Sequence, residues 1–194
     1  MARPRVFDPE QALDDAMHLF WERGYTATST TELTRRMGLN RGSLYHAFGD
    51  KRELFLAVLD RYEERGRQRV RELFARPGSA KDALRTMLFG VAHDCTGVDG
   101  RKGCLVSNTA SEMAPHDAEI AARIERIYRS MERELARAIR RAQAEGEIGS
   151  GQDARTLALY LITAMQGLRV IGKTRRSEKQ LKQVVALVLA GFEA

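Results

Sequence analysis

Four residues, Met37, Gly38, Leu39 and Asn40, constrain what this chain can fold into more than any other feature. On their N-terminal side Leu33 and Met37 lie four apart, and on their C-terminal side so do Leu44 and Phe48. That spacing places each pair on one face of a helix. Gly38 permits a tight turn, Leu39 plugs the junction, and Asn40 caps the helix that follows. The expected unit is a helix, a tight turn and a second helix.

The same punctuation continues in both directions. Asp8 and Pro9 are an N-cap followed by proline at the first helical position. Leu13, Ala16, Met17, Phe20 and Trp21 then form one apolar stripe, ended by Gly24. A Ser/Thr cluster at 26–31 caps the helix carrying Leu33, and the helix after Asn40 runs from Arg41 to about Ala47. Asp50 with Glu53 three residues on opens a long helix to about Ala75. Pro77, Gly78 and Ser79 make the cleanest break in the chain. Further helices are expected at about 80–95, 104–113, 117–145, 153–173 and 177–193, with linkers at 97–103, 114–115 and 146–151. No segment alternates with period two long enough for a strand, and only four prolines occur. The fold class is all-α.

Several classes of function are excluded. No apolar run approaches the ~18 residues that span a bilayer. The start of the chain has no apolar segment of the signal-peptide kind. Two cysteines, Cys95 and Cys104, are too few for a disulfide scaffold, so a cytoplasmic, reducing location is expected. With four histidines and no Gly-x-Ser-x-Gly, phosphate-cradling glycine loop or His-Glu-x-x-His, nothing sets a nucleophile beside a base, and no enzymatic role or cofactor is expected. His93, Cys95, Cys104 and His116 match no common zinc spacing, so no metal site is assigned.

The net charge of +6 admits nucleic acid without proving it. Residues 1–50 carry six arginines against seven acids. Across 28–52 the balance is positive, with Arg35, Arg36, Arg41, Lys51 and Arg52 against Glu32 and Asp50. The case therefore rests on the motif. With Leu44 and Phe48 turned inward, Arg41, Ser43, Tyr45 and His46 are left on the open face, and small Gly42 and Ser43 let the backbone approach a duplex. Lys51 can add a phosphate contact beside the N-terminal amides of its helix.

These residues resemble the tetracycline-repressor (TetR/AcrR) family of bacterial regulators. The likeness rests on Gly24-Tyr25, Thr28-Ser29, Met37-Gly38-Leu39 and the run Gly42-Ser43-Leu44-Tyr45-His46-Ala47-Phe48-Gly49-Asp50-Lys51-Arg52-Glu53-Leu54. It implies a DNA-binding unit at 6–55 and a helical effector-binding and dimerisation unit at 56–194. It also implies that Tyr45 and Lys51 grip phosphates, Thr30 or Thr31 anchors the first helix of the motif, and Arg41, Ser43 and His46 lie nearest the bases. Arg3 and Arg5 are either a minor-groove arm or a disordered basic tail. The implied role is a repressor released from a palindromic double-stranded operator by a small molecule.

One helix-turn-helix makes few contacts, so a homodimer reading two half-sites is expected. Leu157, Leu161, Ile162, Met165, Leu168 and Ile171 form one broad apolar face, and Val184, Leu187, Val188, Gly191 and Phe192 another. The resemblance implies that such helices pair between subunits. It also sets an effector pocket within 80–150, with Met87, Phe89, His93, Met113, Ile127, Tyr128 and Met131 as candidate lining. Cys104 follows Arg101, Lys102 and Gly103 at the start of a predicted helix, the setting of a reactive thiol. Gly103-Cys104-Leu105 also resembles a branch of the family that includes oxidant and electrophile sensors. Two readings stay open: a redox-sensing repressor acting through Cys104, or a small packed cysteine.

Overall fold

The computed structural model describes residues 7–97, 99–174 and 177–192, and forms nine α-helices with no strand among them. They are α1 (Pro9–Arg23), α2 (Thr30–Met37), α3 (Arg41–Phe48), α4 (Lys51–Ala75), α5 (Ala80–Asp94), α6 (Leu105–Glu112), α7 (Ala118–Ala144), α8 (Ala154–Gly172) and α9 (Glu178–Ala190). A 3-10 turn at Gly100–Lys102 precedes α6. The predicted helices are all present, and the largest displacement of an end is at α9, expected to 193 and ending at Ala190. Arg3 and Arg5 lie outside the described residues.

The caps explain why the ends fall where they do. The Asp8 carboxylate accepts the N–H of Glu10 at 2.9 Å, and Asn40 Oδ1 accepts that of Ser43 at 2.8 Å. Reciprocal capping boxes join Ser29 with Glu32 and Asp50 with Glu53. Each satisfies backbone donors that a helix start leaves unpaired. Gly38 closes α2 in the left-handed region, at φ +66° and ψ 24°, where a side chain would be strained.

Burial divides into two clusters. The first joins Phe20, Leu33, Leu44, Leu54, Phe55 and Leu59 of α1–α4 to Leu105, Val106, Ile120 and Ile124 of α6 and α7. The second joins Leu84 and Leu88 of α5 to Leu135 and Ile139 of α7, Leu157 and Leu161 of α8, and Val185 of α9. Tyr128 packs against both. The N-terminal cluster therefore does not close at residue 55. It takes in two further turns of α4, the apolar residues of α6 and the start of α7. Ion pairs on its rim tie the same elements together: Arg61 to Asp14 and Glu10, Arg123 to Asp60, and Arg52 to Asp117 at 2.9 Å.

Candidate nucleic-acid interface and the cavity behind it

α3 is held by its inner side. Leu44 is fully buried, and Phe48 is half-buried with its ring 6.3 Å from that of Phe7. Opposite them Arg41, Gly42 and His46 are exposed, Tyr45 is 46% exposed, and Ser43 is half-buried with its N–H on the Asn40 cap. The expected division into packing face and open face is what the helix displays. At the start of α2, Thr31 is exposed and Thr30 half-buried, and Arg35 and Arg36 are exposed at its end. A cationic, hydroxyl-bearing surface of this shape suits phosphate and base-edge contacts.

Lys51 is more constrained than the sequence suggested. Its Nζ lies 4.2 Å from the centre of the Tyr25 ring, a cation–π contact. Burial lowers its pKa, and the nearby Glu112 carboxylate works the other way. Glu112, the last residue of α6, accepts the backbone N–H groups of Tyr25 and Thr26. Burial would raise its pKa, yet the two backbone hydrogen bonds and Lys51 hold it below the ordinary carboxylate range.

Behind this surface α4, α5, α6, α7 and α8 line a partly open cavity of about 230 Å3. Met87, Cys104, Ile127 and Met131 are among the residues that line it, with Tyr62 and Arg169. Four candidate pocket residues are not on its walls, and their assignment to it is corrected. His93 is exposed near the end of α5, with Nδ1 3.2 Å from the carboxylate of Glu178 at the start of α9. Met113 packs against the N-terminal cluster, and Tyr128 is wedged between the two clusters, where burial raises its pKa to about 12. Phe89 likewise packs outside the cavity, against the second cluster and Arg85.

Cys104 stands at the N-cap of α6 but its side chain makes no capping bond there. Its sulfur accepts the Tyr62 hydroxyl at 3.8 Å, and it is 2% exposed. Lys102 is engaged by Glu22 and Asp99, and Arg101 is exposed. The cation at the sulfur is Arg169 of α8. The thiol is a packed part of the cavity wall, and the redox-sensing alternative is not favoured. Among the described residues no cluster of three histidine, cysteine or acidic side chains could hold a metal ion.

The expected pairing face also needs correction. Leu161, Met165, Leu168 and Val188 are buried inside their own chain, packed among α5, α7, α8 and α9. The apolar residues of α8 and α9 left outside are Leu159, Tyr160, Val170, Ile171, Val184 and Leu187, the last 74% exposed. Val184 and Leu187 were anticipated and the α8 residues other than Ile171 were not. Sequence reasoning also missed the Glu112 contact, the Arg52–Asp117 pair and Arg169. Only Arg169 left a trace, as the lone charge in the apolar run 156–172.

Comparison with known proteins agrees with this architecture. The model of bacterial regulatory proteins of the tetR family matches residues 12–58, and that of the C-terminal domain of LmrA/YxaF-like transcriptional regulators matches 80–187. The HTH-type transcriptional repressor ComR of Escherichia coli K12 is 35% identical over 96% of this chain and 90% of its own. YezE of Bacillus subtilis, an uncharacterized HTH-type regulator, is 33% identical over 98% of each. Among solved structures, a cysteine mutant of the TetR family regulator CifR in complex with 26-bp operator DNA superimposes with a TM-score of 0.87. It shares 30% identity and covers 98% of this chain and all of that one. No described helix is long and apolar enough to cross a membrane.

Proposed function

This chain belongs to the TetR family of bacterial regulatory proteins, and from that premise we propose that it is a homodimeric, effector-responsive transcriptional repressor of the cytoplasm. It binds a palindromic operator through α2 and α3, and its work is binding rather than catalysis. The observation that carries this is α3 itself: Leu44 fully buried on one side, Arg41, Tyr45 and His46 open on the other. The operator complex of the similar CifR supports it.

Arg41 is assigned to a base edge, with the bidentate reach suited to guanine. Ser43 and His46 lie beside it, and the bare backbone at Gly42 allows close approach. Tyr45 and Lys51 contact phosphates, and Thr30 and Thr31 fix α2 across the backbone. Two subunits pair through the exposed faces of α8 and α9, which sets the spacing of the two recognition helices. A small molecule in the cavity shifts the dimer to a form whose spacing no longer fits.

A band-shift titration against the DNA upstream of its own gene tests the reading. Sequence-selective, salt-sensitive binding at nanomolar to micromolar protein is expected. Binding that an unrelated duplex abolishes as readily as the operator would overturn it.

A further inference from the structure

Arg169 presents a guanidinium to the cavity from an otherwise apolar stretch of helix. A buried cation is costly unless an acid or several acceptors surround it. Among the described residues no carboxylate forms an ion pair with it; the groups that bear on it are Cys104, Tyr62 and Cys95. Glu63, Asp94 and Glu134 also line the cavity, and Asp94 is exposed, but none of them pairs with Arg169. Arg67, on another wall, ion-pairs with Glu64, yet its Nε is buried without a hydrogen-bond partner. The cavity thus holds arginines on two walls, Arg169 facing the Cys104 thiol rather than a carboxylate and Arg67 with an unpartnered Nε, set among apolar side chains.

We propose that the cavity is built for a small apolar carboxylic acid, bound as its anion. Its carboxylate is held by Arg169 and the Tyr62 hydroxyl, and its apolar body lies against Met87, Val106, Ile127 and Met165. An arginine fork matches a carboxylate with two parallel hydrogen bonds. The Tyr62 hydroxyl now donates to the Cys104 sulfur over 3.8 Å, a weak bond that a carboxylate oxygen readily replaces. At about 230 Å3 the space suits a compact acid rather than a multi-ring compound. This rests on reading the cavity as the effector site.

The chain contains one tryptophan, and the Trp21 ring stands edge-on to Tyr62 with centroids 5.3 Å apart. Its fluorescence therefore reports on the Tyr62 end of the cavity. The probes are two pairs of matched size, octanoate with octanamide and phenylacetate with phenylacetamide, titrated into the full chain without DNA. At least one acid is expected to bind about tenfold or more tightly than its amide. Arg169→Met should remove that preference, and Arg169→Lys should keep part of it. Equal affinity of acid and amide for the wild type overturns the proposal, as does the failure of both acids to bind by about 1 mM. The wild-type comparison decides even if Arg169→Met does not fold. Repeating the titrations on the operator complex separates the two readings. An acid that binds selectively but leaves DNA bound retains the ligand class and removes the effector role. Acids and amides that bind alike and both release DNA do the reverse.

Discussion

Glu112 and Thr26 are joined by a hydrogen bond of 2.7 Å, from the backbone N–H of Thr26 to the carboxylate. It fastens the last turn of α6 to the loop that leads into α2. The second oxygen takes the N–H of Tyr25 at 3.0 Å and would stand 2.7 Å from a Cβ on Gly24, whose φ is +81°. Glycine is needed there both for its backbone and for its missing side chain. α6 thus carries a cavity residue, Cys104, at one end and the anchor of the helix-turn-helix at the other.

Glu112→Gln should therefore lower stability by about 1–2 kcal/mol, since its amide offers a donor where a second acceptor is needed. Because the folded-state pKa of Glu112 lies below its ordinary value, the carboxylate's contribution is complete above the unfolded pKa. It is lost as pH falls through the folded one. Urea denaturation curves of wild type and variant should differ at neutral pH and converge in acid. A gap that persists unchanged in acid would assign the loss to packing.

On the open face of α3, Arg41→Ala should weaken operator binding by about 1–3 kcal/mol and relax preference at one base position. Tyr45→Phe should cost about 0.5–1.5 kcal/mol evenly across sequences, as expected for a phosphate contact. Both side chains are exposed, so the melting temperature should stay put. Competition band shifts with single-base operator variants measure the difference between the two.

Cys95 and Cys104 are both buried, and burial raises the pKa of the Cys95 thiol. Folded protein should react with a bulky disulfide reagent far more slowly than protein in urea, and operator binding should survive mild peroxide. Rapid loss of binding that Cys104→Ser prevents would restore a sensing role for this thiol.

The helices and their ends were legible because a cap is a local event: Asn40 accepts from a residue three along, and Gly38 needs only its own φ. The reading face of α3 was legible for the same reason, since Leu44 and Phe48 mark its inner side by spacing alone. Contacts between residues far apart in the chain were not. Nothing near Glu112 announces Tyr25, and nothing near Arg52 announces Asp117. α8 misled for a different reason. Leu157, Leu159, Leu161, Ile162, Met165, Leu168, Val170 and Ile171 wrap apolar groups around the whole helix, so periodicity could not say which side the chain covers itself.

That ambiguity makes the dimer the sharpest remaining test. Leu161 is fully buried within the chain while Leu187 is 74% exposed, with Val184 one turn away on α9 and Val170 and Ile171 exposed on α8. An apolar strip of this kind is costly to leave in water and fits pairing across a two-fold axis. Leu187→Glu puts a charge on the strip without opening a cavity in the core. It should shift the protein from dimer to monomer in sedimentation or light scattering and sharply weaken operator binding, while helix content is kept. Leu161→Ala should instead cost about 2–5 kcal/mol of stability with the dimer intact wherever the chain is folded. If Leu187→Glu remains a dimer and Leu161→Ala dissociates, subunits pair through a different surface, and the outward faces of α8 and α9 need another explanation.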